Sequence, residues 1–204
     1  MAWKIVLTIC ALLFCGLIFL ISDIKNAYKV LPINASKPID VSAFANWREF
    51  QPPSQRFKAL LPAPPQYVKE SVVIPDTEKK RLYEMYVSEK LNGTVFMISL
   101  ITYPKDFLTS RPFEMLNDIV DEMIQNKPAN KLKKREDVFF QNHEAVEFTI
   151  KNDKFDIQGT ALMVDRTIYL LSYIASHSEF SSEDYQYFID SFKVLPKGEI
   201  SSVH

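Results

Sequence analysis

The N-terminal run from Ile5 to Ile21 is apolar on every face of a helix and contains no charged residue. As a helix it would span roughly 26 Å, close to the ~30 Å hydrocarbon core of a bilayer. It is longer than the apolar centre of a secretory signal, and Leu20 to Ser22 offer only one of the small residues that a cleavage site needs. The pattern predicts a retained transmembrane signal-anchor helix over residues 5–22, after a short tail of residues 1–4.

Three other interpretations of this run are a cleaved secretory signal, a lipoprotein signal and a buried core helix. Cys10 and Cys15 both follow bulky residues and come too early for a lipoprotein signal. The positive-inside rule is nearly balanced across the run, because Lys4 precedes it while Lys25 and Lys29 follow it. The short tail before the run and the long chain after it favour a domain on the extracytoplasmic side.

Beyond the anchor, the pattern divides into a spacer of residues 23–45, one domain of residues 46–196 and a flexible tail of residues 197–204. The spacer is polar and shows no sustained periodicity. The domain opens with "WREFQPPSQRFKALLPAPP", where two short apolar-aromatic pieces are separated by Pro52 and Pro53. Because proline cannot donate a ladder hydrogen bond, we expect two short strands at sheet edges.

Apolar and polar residues alternate in "RLYEMYVSEKLNGTVFMISLITYP", and Asn92-Gly93 is the dipeptide best suited to a two-residue hairpin turn. The next segment predicts an amphipathic helix that Ser110 can cap, with Pro112 in its first turn and its end near Lys127. Its apolar residues at helical spacing are Phe113, Leu116, Ile119, Val120, Met123 and Ile124.

Residues 131–176 predict an antiparallel meander of strands near "DVFFQN", "HEAVEFTIK", "KFDIQGTALMVD" and "RTIYLLSYIAS". Turn dipeptides separate them at Gln141-Asn142, Asn152-Asp153 and Asp165-Arg166. The segment "SSEDYQYFIDSFKVLP" predicts a closing helix with a serine cap, early acids and one aromatic face. The fold class is therefore α+β, an antiparallel β-sheet flanked by helices.

This order of elements resembles the PsbP-like α/β/α sandwich family, over roughly Trp47 to Leu195. The residues that carry the resemblance are "FKALLPAPP", the hairpin "YEMYVSEKLNGTVFMISLITYP", the tyrosine-rich "RTIYLLSYIAS" and the closing "YQYFIDSF". The resemblance implies a membrane-anchored bacterial envelope protein with a non-catalytic binding or assembly role and a protein partner in the envelope. It transfers no site residue, because its motifs are core patterns.

The composition of the chain argues against several classes of function. The 24 Lys and Arg residues balance the 25 Asp and Glu residues, so no net field favours nucleic acid, and we expect no nucleic-acid partner. Both cysteines, Cys10 and Cys15, lie in the apolar run, which leaves the domain without a thiol nucleophile, a disulfide or a cysteine metal site.

Candidate catalytic and metal residues are few. His143, His177 and His204 show no helical metal-ligand spacing, and we interpret His143 and His177 as solvated loop residues, with a shared His143–His177 metal site as the alternative. The acidic pairs Asp121-Glu122 and Glu183-Asp184 are explained by solvation and the helix dipole. We therefore assign no catalytic, cofactor or metal residue, although an envelope hydrolase and a small-ligand or lipid carrier remain alternatives.

Three further features have a structural and a functional interpretation. Seven tyrosines could line a ligand surface, but packing on half-buried strands explains them: Tyr83, Tyr86, Tyr103, Tyr169, Tyr173, Tyr185 and Tyr187. The basic residues Lys131, Lys133, Lys134 and Arg135 could touch anionic headgroups, but they also suit an exposed strand edge. Two Asn-x-Ser/Thr sequons begin at Asn34 and Asn92; they would be used only in a host that glycosylates exported chains, and a chain of this length often contains one or two by chance.

Overall fold

The computed structural model describes residues 44–74, 77–107 and 109–195. The predicted anchor of residues 5–22, nearly all of the spacer, the tail of residues 197–204 and His204 lie outside these ranges. Within them, no helix is both long and apolar enough to cross a bilayer.

One seven-stranded antiparallel sheet forms the centre of the domain. The hairpin and the meander predicted from the sequence are both confirmed. They join because the second hairpin strand, Val95–Thr102, pairs with the last meander strand, Thr167–Ser176. The strand order is β3-β4-β5-β9-β8-β7-β6. The strands are β3 (Gln66–Val73), β4 (Lys80–Glu89), β5 (Val95–Thr102), β6 (Lys131–Phe140), β7 (His143–Lys151), β8 (Phe155–Val164) and β9 (Thr167–Ser176).

A second, three-stranded sheet is built around the proline-rich start of the domain. Its central strand is β2 (Phe57–Leu61), which pairs antiparallel with β1 (Arg48–Phe50) and with β10 (Lys193–Val194). The prolines separate β1 from β2 as predicted, but the expectation of two edge strands is wrong for β2, which pairs on both sides. The sequence pattern indicated neither β10 nor β3.

Two helices and the small sheet cover the two faces of the large sheet. Helix α1 (Pro112–Gln125) packs on β6, β7 and β8, whereas α2 (Ser182–Ser191) packs on β2. Each face therefore has its own hydrophobic core. The buried face of α1 consists of Leu116, Ile119, Val120 and Met123, and that of α2 includes Tyr185, Phe188 and Ile189. The predicted α+β class, with helices on an antiparallel sheet, is confirmed.

The two helix N-termini differ in how they are capped. Ser181 caps α2 as predicted, because its hydroxyl accepts a hydrogen bond from the backbone N–H of Asp184 at 3.2 Å. The predicted Ser110 cap of α1 is wrong: Arg111 occupies the cap position and makes no side-chain capping bond. Pro112 favours this boundary because proline suits the first helical position, which places the cap position at Arg111, one residue after Ser110.

The turn at Asn92-Gly93 also differs from the predicted two-residue form. The N–H of Gly93 donates to the carbonyl of Lys90, and the N–H of Lys90 donates to the carbonyl of Thr94, both at 2.9 Å. Residues 91–93 therefore form a three-residue loop in which Gly93 has a φ of 82°. At Gln141-Asn142 both φ values are positive, 51° and 64°, as a two-residue hairpin turn requires.

Candidate functional site

His177 is half exposed, but it is not a free solvated histidine. Its Nδ1 lies 3.1 Å from Oδ2 of the buried Asp156, and its Nε2 lies 3.3 Å from the carbonyl oxygen of Asp153. Both ring nitrogens therefore have polar neighbours within the domain. The ring holds the end of β9 against the β7–β8 turn.

His143 begins β7 and lines a surface cleft of about 420 Å³ together with Arg56 and Tyr169. The strands β7 and β9 run in the same direction because both are antiparallel to β8. His143 is the first residue of β7 whereas His177 follows the last residue of β9, so the two histidines lie at opposite ends of the sheet. They cannot share a metal ion, and the described residues contain no cluster of three or more metal-ligand side chains.

Arg56 dominates the electrostatics of that cleft, but its charge is balanced internally. Its guanidinium donates to Glu84 at 3.1 Å and to the hydroxyls of Thr102 at 3.1 Å and Thr167 at 2.5 Å. These bonds anchor the loop before β2 on the large sheet. An anionic ligand in the cleft would have to compete with the Glu84 carboxylate for the same cation.

Three of the four acids that were explained by solvation or by the helix dipole pair with cations elsewhere in the fold. Glu122 contacts the buried Arg81 of β4, and Asp121 contacts Arg135 of β6. Asp184 contacts Lys90 at 2.6 Å. These pairs join each helix to another part of the fold, so solvation alone does not explain Asp121 and Glu122, whereas Asp184 lies in the first turn of α2 as the dipole interpretation predicts.

Lys90 also lies among aromatic rings at the β4–β5 turn. Its Nζ is 5.5 to 5.8 Å from the ring centres of Phe44, Trp47 and Phe96, a distance at which cation–π attraction operates.

The side-chain amide of Asn92 in the same turn donates to Glu179 at 2.6 Å. In the folded domain the amide nitrogen of Asn92, the atom that a glycan would modify, is therefore engaged in an internal hydrogen bond. The Asn34 sequon lies outside the described residues.

The tyrosines fill the cores. Tyr86, Tyr103, Tyr169, Tyr173 and Tyr185 are buried. Burial raises the pKa of Tyr86 and of Tyr173 to about 12. Two of these hydroxyls have internal partners: the hydroxyl of Tyr185 lies 2.8 Å from that of Thr160, and the hydroxyl of Tyr173 accepts the N–H of Ser181 at 2.8 Å. Packing rather than a ligand surface explains the positions of these five side chains.

A cleft of about 380 Å³ lies between α1 and the start of β4. Its lining includes the Arg81–Glu122 ion pair together with Asp118 and Asp121. Ile74, Tyr103, Phe107 and Met115 also line the cleft, but an apolar ligand there would take the charged groups out of water without giving them partners. This cleft therefore does not favour a lipid carrier.

The β6 edge of the large sheet is protected by charge and by an irregularity. Lys134 pairs with Glu136 at 2.8 Å, Arg135 pairs with Asp121, and the register with β7 shifts between Leu132 and Lys134. Charged residues and bulges are the devices by which natural sheets block edge-to-edge association. The basic run thus forms the exposed, protected edge that the sequence predicted.

The opposite edge, formed by β3, is open. β3 pairs with β4 at all eight positions, from Gln66 to Val73, without a register shift. On its outer side no strand pairs with it in the part of the chain that the structure describes. Tyr67, Val68 and Val73 are 50%, 38% and 40% exposed, and they make this edge apolar. β3 is the candidate binding site.

Sequence reasoning missed β3 because both of its faces are largely exposed, so its residues do not alternate between apolar and polar types. The signals that could have indicated it are its three valines and the prolines that flank it at positions 65 and 75.

Comparison with known proteins concerns the fold alone. No protein-family model matches the chain, and no curated protein matches it. Among solved structures, the chain is similar to the cyanobacterial PsbP of Synechocystis sp. PCC 6803, with a TM-score of 0.49 and 8% identity over 81% of this chain and 100% of that chain. A PsbP structure is thus among the structural matches, as the resemblance in sequence pattern predicts.

Two further solved structures are similar to the chain. A Pseudomonas aeruginosa protein of unknown function matches with a TM-score of 0.41 and 11% identity over 75% of this chain and 99% of that chain. A Bacteroides thetaiotaomicron protein matches with a TM-score of 0.37 and 12% identity over 76% of this chain and 50% of that chain.

Proposed function

We propose that this chain is a non-catalytic binding or assembly module that docks a partner protein on the open edge of β3. The observation that supports the proposal is an eight-residue edge strand in regular register, with three exposed apolar side chains. The backbone groups on such an edge can bond to an added strand, and alternate side chains can then select its sequence.

The contrast between the two edges of the same sheet favours a binding role for β3. On β6, a run of charged residues and a register shift discourage added strands. On β3 the register is regular, and only Lys69 and Glu70 are charged. A sheet protected at one edge only is suited to a single, directed strand addition.

The proposal also includes a location. The apolar run of residues 5–22 would hold the domain at a membrane, with the domain on the extracytoplasmic side and its protein partner in the envelope. This part of the proposal is supported by the sequence pattern alone.

Site-specific photo-crosslinking in intact membranes tests the β3 proposal. Benzoylphenylalanine would replace Val68 on β3 or, as a matched control, Leu132 on β6, since the two side chains are 38% and 40% exposed on opposite edges. We expect a discrete adduct from position 68 only, with the crosslinked residue of the partner in an extended segment identified by mass spectrometry. Equal adducts from both positions, or none from position 68, would contradict the proposal.

A further inference from the structure

The two charged residues at the centre of β3 lie on opposite faces of the sheet. Lys69 stands opposite Glu84 of β4, on the face that carries α2 and the small sheet. Glu70 stands opposite Tyr83, on the face that carries α1. An added strand therefore meets one positive charge on one face and one negative charge on the other.

Neither of these charges is neutralised within the described residues. The Glu84 carboxylate beside Lys69 already accepts hydrogen bonds from Arg56 and from the hydroxyl of Tyr67, both at 3.1 Å. The ion pairs of the described part of the chain include neither Lys69 nor Glu70. Both charges are thus available to a partner strand.

A second copy of β3 fits this edge poorly. Two identical antiparallel strands are related by a two-fold axis perpendicular to the sheet. Each residue of one copy is therefore paired with a residue of the other copy whose side chain lies on the same face of the sheet. The two registers with the longest overlap centre on Lys69 or on Glu70. Each places a like charge directly opposite its own copy, an arrangement that destabilises a strand pair.

We infer that the occupant of β3 is an antiparallel strand of a different protein, with an acidic residue opposite Lys69 and a basic residue opposite Glu70. This inference rests on the proposed function and specifies its partner. The antiparallel direction follows the rest of the sheet, in which every neighbouring pair is antiparallel. Apolar or β-branched residues of the partner then stand opposite Tyr67, Val68 and Val73.

Two synthetic peptides test the charge order. Both have the length of β3 and consist otherwise of β-branched and aromatic residues. In the first, an antiparallel docking places glutamate opposite Lys69 and lysine opposite Glu70; in the second, the two charges are exchanged. Each carries a fluorophore and is titrated against the full-length chain in detergent micelles by fluorescence anisotropy.

We expect the first peptide to bind about ten-fold more tightly than the second, because two cross-strand pairs change from attraction to repulsion. The double variant Lys69→Glu/Glu70→Lys keeps the composition and net charge of the chain and should reverse the preference. The variant Lys133→Glu/Glu136→Lys on β6 is the matched control, and it should leave the preference unchanged. Thermal unfolding of each variant checks that the fold is retained.

Four outcomes would overturn the inference: equal affinities, no binding up to about 1 mM, a wild-type preference for the second peptide, or a dimer of the chain that Val68→Asp abolishes. The second-peptide preference would indicate a parallel strand. If the peptides fail while the position-68 crosslink persists, the charge order is wrong and the proposed function stands. If the position-68 crosslink is absent as well, both the charge order and the proposed function are wrong.

Discussion

Arg81 of β4 lies beneath α1, with its Nη2 atom 3.0 and 2.8 Å from the two carboxylate oxygens of Glu122. The Arg81 side chain is only 4% exposed, and its other terminal nitrogen contacts the hydroxyl of Tyr103 at 3.3 Å. The main strand contacts of α1 are with β6, β7 and β8, and this pair also joins the helix to β4 in the other half of the sheet.

Removing this carboxylate should destabilise the domain. Glu122→Ala leaves the buried Arg81 cation without its counter-charge. Since the Glu122 side chain is 39% exposed, we expect the free energy of unfolding to fall by about 2–3 kcal/mol, less than the ~3–5 kcal/mol of a fully buried pair. Glu114→Ala in the same helix is the control, since its pair with Arg111 is exposed on both sides and should cost less than about 1 kcal/mol. Urea unfolding of both variants measures the difference, and equal losses would show that the Arg81 pair has no special role.

Truncating the aromatic residue that follows α2 should have a larger effect. Phe192 is fully buried and stacks on Phe57 with ring centres 5.6 Å apart, so Phe192→Ala should cost about 3–5 kcal/mol. Phe139→Ala provides the matched control because that ring is 72% exposed, and its loss should lie within about 0.5 kcal/mol. The cellular level of each variant reports the same difference. A Phe192→Ala protein with wild-type stability would contradict the packing of this face.

The sequence predicted elements well where local signals agree. In the meander, each change of direction coincides with residues that tolerate a positive φ, such as Asn142 and Asp165. The closing helix combines a serine cap with an aromatic face, and both are confirmed. β3 was missed because an exposed edge strand needs no buried face, and the Ser110 cap was wrong because the helix begins at Pro112, which places Arg111 at the cap position.

The ion pairs and the candidate site were less predictable because both depend on contacts between residues that are distant in the sequence. Lys90 and Asp184 meet across the fold, as do Arg81 and Glu122, so their charges looked solvated in the sequence. The open edge is likewise a property of strand order: β3 is at the edge because β9 follows β5 in the sheet. No local pattern encodes that order.

Gly159 should tolerate no side chain. A Cβ atom at this position in β8 would lie 2.4 Å from Cζ of Phe148 and 2.8 Å from the carbonyl oxygen of Leu171. We expect Gly159→Ala to cost about 1–3 kcal/mol in urea unfolding, since both neighbours must shift. Gln158→Ala, on the opposite face of the same strand, should cost less. Adding Phe148→Leu should not restore stability, because the backbone contact remains, and full restoration would contradict this account.

The N-terminal run should keep the protein at a membrane. If residues 5–22 form a retained anchor, the mature chain begins at or near Met1 and stays with the membrane in carbonate and in high salt, because the apolar segment has no favourable state in water. N-terminal sequencing and membrane fractionation measure both properties. A deletion of residues 1–22 should release the protein from the membrane. Recovery of a wild-type soluble chain that begins near Asp23 would contradict the anchor and favour a cleaved signal.

Alkaline pH should weaken the fold through Tyr173. Burial raises the pKa of its hydroxyl to about 12, whereas the unfolded chain has the ordinary value of about 10. Between these values the folded state holds a proton that the unfolded state has lost, so the stabilisation is complete below about pH 10 and disappears as the pH rises through about 12.

The variant Tyr173→Phe separates this effect from the other tyrosines. It should be less stable than wild type at neutral pH by about 1 kcal/mol, because the N–H of Ser181 loses its acceptor. Between about pH 10 and 12 it should lose less stability than wild type, since it has no hydroxyl to ionise, while Tyr86 still titrates in the same range. Urea unfolding at a series of pH values measures both changes. Parallel pH profiles for the two proteins would show that Tyr173 ionises equally in the folded and unfolded states, and that its burial does not control the alkaline transition.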